Sequence, residues 1–133
     1  MKTNGGFVGG TLRRDCLSVY AAYFVRYIRA MREHGISVHA ITPQNEPLNR
    51  KNEPSMVMEA PEQAEFVREH LGPALARAGL GNVEVFCWDH NCDRMEYALA
   101  VLADPEARRY LSGSAWHLYA GEISALAAVH AAH

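Results

Sequence analysis

Residues 36–47 read ISVHAITPQNEP, and this stretch decides the fold. The run at 36–42 is rich in β-branched residues and is closed by Pro43, so it is predicted as a short buried strand. A polar cluster, Gln44-Asn45-Glu46-Pro47, follows directly where that strand ends. Upstream, Leu17, Tyr20, Ala21, Phe24, Val25, Ile28 and Met31 fall at three- and four-residue steps. They predict an amphipathic helix over 16–34 that Gly35 terminates. Downstream, residues 43–60 are polar and irregular, longer than the ~2–6 residues usual between strand and helix, and read as a binding loop.

Pro61 with Glu62 opens the next helix, whose apolar face is Ala64, Val67, Leu71, Leu75 and Ala78. Gly72-Pro73 is expected to break or kink it, because Pro73 lacks an amide and its ring crowds the preceding turn. Gly79 ends it. Residues 83–88 (VEVFCW) give a second strand, 95–103 a helix, and Asp104-Pro105 an N-cap and first-turn proline for a short helix through Leu111. Residues 114–119 (SAWHLY) form a third strand and 123–131 a last helix, carried by Ile123, Leu126 and Val129. Helix and strand alternate, and no hairpin turn joins two apolar runs. The fold class is α/β with parallel strands.

The chain has 133 residues, with 13 Lys+Arg against 15 Asp+Glu. That balance leaves no basic field for nucleic acid and no polybasic membrane patch. No run reaches the ~18 apolar residues of a membrane span, and MKTNGGFVGGTLRRD lacks the apolar core of a signal peptide; no stretch assigns a cellular location. Three cysteines form no disulfide framework, and Cys16 and Cys87 read as buried thiols.

In parallel α/β folds, ligands gather where the strands' carboxyl ends meet. The three predicted ends deliver Gln44 to Pro47, then Asp89-His90-Asn91, then His117-Leu118-Tyr119. Glu46, partly desolvated after a buried strand, is expected to have a raised pKa and to donate a proton near neutrality. The amide of Asn45 suits a sugar hydroxyl.

The stretches MKTNGGFVGG, HAITPQNEP, HLGPALARAGL, WDHN, LADPEARRYL and AWHLYAGEISAL resemble glycoside hydrolase family 30, the glucosylceramidase-like enzymes, along the whole chain. The resemblance implies a (β/α)8 TIM barrel that cleaves β-glycosidic bonds with retention. Glu46 then matches the general acid/base at the end of barrel strand four, and Asn45 the contact to the sugar 2-hydroxyl. His117 and Tyr119 match a pair lining the sugar pocket after strand six. Asp89, His90 and Asn91 are weaker matches after strand five, and Lys2-Thr3-Asn4 match the segment after strand three.

A complete barrel needs about 200 residues or more, so the expectation is a partial barrel, about strands four to six with flanking helices. The family's glutamate nucleophile lies after strand seven. The expected product is therefore half a catalytic pair, inactive by itself. Glu122 is a poor substitute: two strand spacings put it about 10 Å from Glu46, and it reads as a charge at a helix start.

The implied substrate is a β-linked glucoside or a glucosylceramide-like lipid, and two-carboxylate chemistry needs no metal or organic cofactor. Two other readings compete. One is an inactive or merely carbohydrate-binding remnant, prone to self-association through open sheet edges. The lesser one is a zinc site from Cys87, His90, Cys92 and Asp93, which lacks a second ligand pair at zinc spacing.

Overall fold

A computed structural model describes residues 1–133. Three parallel strands form one sheet in chain order, β1 (Ala40–Ile41), β2 (Glu84–Asn91) and β3 (Gly113–His117). Helix α1 (Leu17–Glu33) precedes the sheet. α2 (Ala60–Glu65) and α3 (Gly72–Arg77) connect β1 to β2, α4 (Met95–Ala103) and α5 (Pro105–Arg108) connect β2 to β3, and α6 (Ser124–Ala132) follows. This is the α/β, parallel-strand architecture that the alternation predicts.

Three boundaries differ from expectation. The strand at 36–42 shrinks to Ala40–Ile41, because β1 is an edge and pairs only through Ala40 with Glu84 and Ile41 with Val85. Of residues 36–39 only His39 reaches β2, its carbonyl accepting the Glu84 amide at 2.9 Å, and Ile36 stays exposed. β2 instead runs on through Asn91, since β3 pairs with it as far as Asn91–His117. The polar triplet Asp89-His90-Asn91 therefore lies inside the strand, and Leu118 and Tyr119 fall outside β3.

The helix at 60–77 does not break at Pro73. A π-helical turn over Phe66–Leu71 leads into α3, widening the backbone where the proline ring would press on the carbonyl four residues back. Gly72 permits the packing there: a Cβ would sit 2.2 Å from the Tyr110 ring.

Two apolar clusters join helices to sheet. Phe24 and Ile28 of α1 meet Met58, Phe66, Leu71, Leu75, Val83 and Val85. Trp88 and Cys87 of β2 meet Val67, Tyr97, Val101 and Val129. Every residue of β3 is only half-buried, and Phe7, Tyr23, Tyr27, Leu118 and Tyr119 lie exposed. No helix is long and apolar enough to cross a membrane.

Candidate active site

The site is built on two stretches of left-handed backbone. Trp88 (φ 73°) and Asp89 (φ 60°) lie at a bulge where β2 slips register against β3. Aromatic and acidic side chains take this conformation at a cost of about 1–2 kcal/mol each, so their surroundings must hold it. The Trp88 amide, freed from the ladder, donates to Gln63 Oε1 of α2 at 3.0 Å, and its indole N–H donates to the Asn91 carbonyl at 3.0 Å. The bulge buries Cys87 and Trp88 in succession and turns Asp89 and His90 towards the carboxyl end of the sheet.

Glu46 is also left-handed (φ 46°). Its amide donates to the Asp89 carbonyl at 2.9 Å, so the loop after β1 is fastened to the bulge. Its side chain is 12% exposed. Oε2 accepts from Asn49 Nδ2 at 2.7 Å and Asn52 Nδ2 at 2.6 Å, while Oε1 faces His117 Nδ1 at 3.0 Å. The other His117 nitrogen, Nε2, lies 3.0 Å from Asp89 Oδ1, and Asp89 Oδ2 accepts from the Thr42 hydroxyl at 2.6 Å. The three strand ends thus meet in one chain of contacts, Thr42–Asp89–His117–Glu46. A neutral imidazole has a single N–H. Both His117 contacts are hydrogen bonds only when the unit holds a second proton, on the ring or on a carboxyl.

Electrostatics correct one expectation. Burial does push the Glu46 carboxyl up, but donation from Asn49, His117 and Asn52, with His90 nearby, outweighs it. The net position is below the ordinary carboxylate value of 4.5, not above it. The sequence reading weighed desolvation and missed the two asparagines, three and six residues beyond the glutamate. His90 moves down, chiefly through burial, with the Glu46 charge opposing. Its Nδ1 is buried without a hydrogen-bond partner, 3.9 Å from Glu46 Oε1.

The remaining candidates are dispersed around this cluster. Asn91 Oδ1 accepts the Tyr119 amide at 3.0 Å and thereby anchors the loop after β3. The Tyr119 ring stands edge-on to His117, with centroids 5.9 Å apart, and is 84% exposed. Asn45 is exposed and borders an open cavity of about 580 Å3 beside the cluster, lined also by Phe7, Tyr20, Tyr23 and Gln44. Asn4 does not join the cluster. Its amide donates to the Val8 carbonyl at 2.8 Å and its Oδ1 accepts from the Gly6 amide, so it folds its own loop. Glu122 stands exposed ahead of α6, its carbonyl accepting the Ala125 amide. The Cys87, His90, Cys92 and Asp93 set does not converge: Cys87 belongs to the helix-facing core, and the Cys92 thiol points to the His117 carbonyl.

A model of the glycosyl hydrolase family 30 TIM-barrel domain matches residues 1–133. An endo-1,6-β-D-glucanase of Neurospora crassa is 38% identical over all of this chain and 28% of its own length. The lysosomal acid glucosylceramidase of Mus musculus is 33% identical over 90% of this chain and 25% of its own. Among solved structures, the endo-β1,6-glucanase BT3312 superposes with a TM-score of 0.92 at 39% identity, over 96% of this chain and 29% of that one. The chain spans about a quarter of the length of the curated relatives it matches.

Proposed function

The chain belongs to glycosyl hydrolase family 30, and on that premise we propose that it carries the proton-donating half of a site that hydrolyses β-linked glucosides with retention. Glu46 is the general acid and base. The observation that carries this reading is its carboxylate, partly buried at the carboxyl end of a parallel sheet on strained backbone, with one oxygen held by two amides and the other turned to His117.

A retaining glycosidase needs two carboxyl groups about 5–5.5 Å apart, one to protonate the leaving oxygen and one to attack the anomeric carbon. Asp89 does not serve as the second. Both of its oxygens are engaged, by Thr42 and His117, and the His117 ring stands between it and Glu46. The nucleophile in this reading comes from another strand of an eight-stranded barrel. Its negative charge beside Glu46 would raise the Glu46 pKa from the low position it has here, because two close carboxylates resist double ionisation. Asn45 and Tyr119 face the sugar. The preferred substrate is a β-1,6-linked glucan, supported by the glucanase names of similar relatives, with a glucosylceramide-like lipid as the second arm.

The test is Glu46→Gln in a protein that carries this segment within a complete barrel. General acid catalysis contributes about 10²–10⁴-fold, so turnover of glucans and alkyl glucosides should fall by that factor. Glycosylation by activated aryl glucosides, whose leaving group needs no proton, should be nearly preserved. Equal activity of variant and parent on poor leaving groups would remove Glu46 from the role.

A further inference from the structure

The geometry points to a second use of this cluster: Glu46 Oε1, His90 Nδ1 and His117 Nδ1 form a binding site for one borderline divalent metal ion, of which Zn2+ is the type, and its occupancy shuts off Glu46 as proton donor. The three ligand atoms lie within 4.8 Å of one another, with Glu46 3.0 Å from His117 and 3.9 Å from His90. Zinc bound at about 2.0–2.1 Å to tetrahedral nitrogen and oxygen ligands implies ligand–ligand edges of about 3.3 Å. The Glu46–His117 edge is slightly short and the Glu46–His90 edge slightly long, while the third is no longer than 4.8 Å, so binding requires the His90 ring to swing inward.

The outer contacts are those a metal site requires. The nitrogen of His117 remote from the ion faces the Asp89 carboxylate, itself held by Thr42, and Glu46 keeps its other oxygen on Asn49 and Asn52. Such partners fix ring orientation and strengthen the ligand. The independent sign of a missing ligand is His90. Its Nδ1 is buried and unpartnered, while its ring is set between Trp88 and His117, with centroids 4.9 and 6.2 Å away. Two imidazoles with one carboxylate select zinc-like ions over Mg2+ or Ca2+, which take oxygen ligands. The balance is simple: the ion takes the place of the proton between His117 Nδ1 and Glu46 Oε1, which leaves to solvent, and water fills the fourth position.

The metal site itself is independent of the glycosidase reading and of turnover; only the loss of Glu46 as proton donor rests on that reading. The experiment is Zn2+ binding to the 133-residue chain by competition with a chromophoric chelator, repeated with Co2+ for its visible spectrum. One ion per chain with micromolar affinity, and a cobalt spectrum without thiolate charge-transfer bands, is expected. His90→Ala and Glu46→Gln should each weaken binding tenfold or more, and Asp89→Asn about tenfold. Circular dichroism checks that each variant keeps its helices, with His90→Gln as the replacement should His90→Ala unfold. His34→Ala and His130→Ala, at exposed positions, should bind as the parent does. Binding weaker than millimolar, unchanged binding in the His90 and Glu46 variants, or equal loss in the His34 or His130 variants would each overturn the site.

Discussion

Gly121 should be the least replaceable residue near the site, and the cost of Gly121→Ala can be built from two contributions. The residue has φ +81°, where an L side chain costs about 1–2 kcal/mol. It also touches the backbone at the end of β2: an added Cβ would fall 2.2 Å from the Asp93 amide nitrogen and 2.3 Å from the Cys92 carbonyl carbon. Ordinary contact is about 3.5 Å, so the loop after β3 must retreat by about 1 Å. Overpacking of that kind costs about 1–3 kcal/mol, giving a total of about 2–5 kcal/mol. Gly35 supplies the control, because it has φ +75° but nothing within 4 Å of its would-be Cβ. Gly35→Ala carries only the backbone share, about 1–2 kcal/mol. Urea unfolding of the two variants beside the parent, compared at constant slope, reads the difference. The same retreat strains the Cys92 amide to Ala120 carbonyl bond of 2.9 Å and the Asn91–Tyr119 clip, so His117 should drift from Glu46 and its ring resonances should shift. A Gly121→Ala protein no less stable than Gly35→Ala, with unmoved His117 signals, would refute the packing argument.

The remaining predictions concern pH, capping, thiols and assembly. Glu46 and Asp104 both titrate below their ordinary values of 4.5 and 3.8 in the folded chain, Glu46 because its donors outweigh burial and Asp104 chiefly through the Ala107 amide. Each therefore adds stability that is complete above its ordinary value and is lost as pH falls through the folded value. The urea midpoint should drop below about pH 4.5, more gently in Asn49→Ala and Asn52→Ala; identical acid profiles would refute the clamp. Asp104 accepts the Glu106 and Ala107 amides at 3.0 Å and pairs with Arg68. Asp104→Ala should cost about 0.5–2 kcal/mol and Asp104→Asn much less; equal losses would assign the effect to the ion pair. An aromatic disulfide reagent should label half-exposed Cys16 quickly and spare buried Cys87 and Cys92, the Cys87 thiol being pushed up to about 12 by burial. Fast labelling of Cys87 below unfolding conditions would contradict its place in the core. The two sheet edges, the half-buried β3 and the exposed apolar side chains should make the chain self-associate at micromolar concentration; sedimentation as a monomer throughout would count against this.

Much of the fold was legible because its signals are local. The α1 stripe, the Gly35 and Gly79 stops and the Asp104 cap each rest on residues within one or two turns. What was not legible depends on distant partners. Strand lengths at the sheet edges follow from which neighbour is available, so 36–39 lost its ladder and 89–91 gained one. The run through Pro73 depends on a π turn, which a rule about proline alone does not contain. The convergence of Glu46, Asp89, His90 and His117 followed from strand order, since parallel strands place their ends together. The state of Glu46 did not, because Asn49 and Asn52 act through a loop geometry that spacing alone does not reveal.

The cluster also separates what three strands can organise from what they cannot. Its geometry is closed within the chain: the Glu46 amide on the Asp89 carbonyl, the Trp88 amide on Gln63 and the Cys92 amide on Ala120 tie the strand ends to one another. Position is therefore preorganised without further strands. Charge is not. A general acid must hold its proton near working pH, and here the amides and imidazoles around Glu46 favour its anion. The same donors that aim the carboxyl oppose its protonation, and under the proposed function a like charge from another strand would be the counterweight. In the proposed function aim and acidity would thus come from different parts of the fold, which fits a chain whose Glu46 is held in an ordered cluster while its electrostatics remain those of a carboxylate.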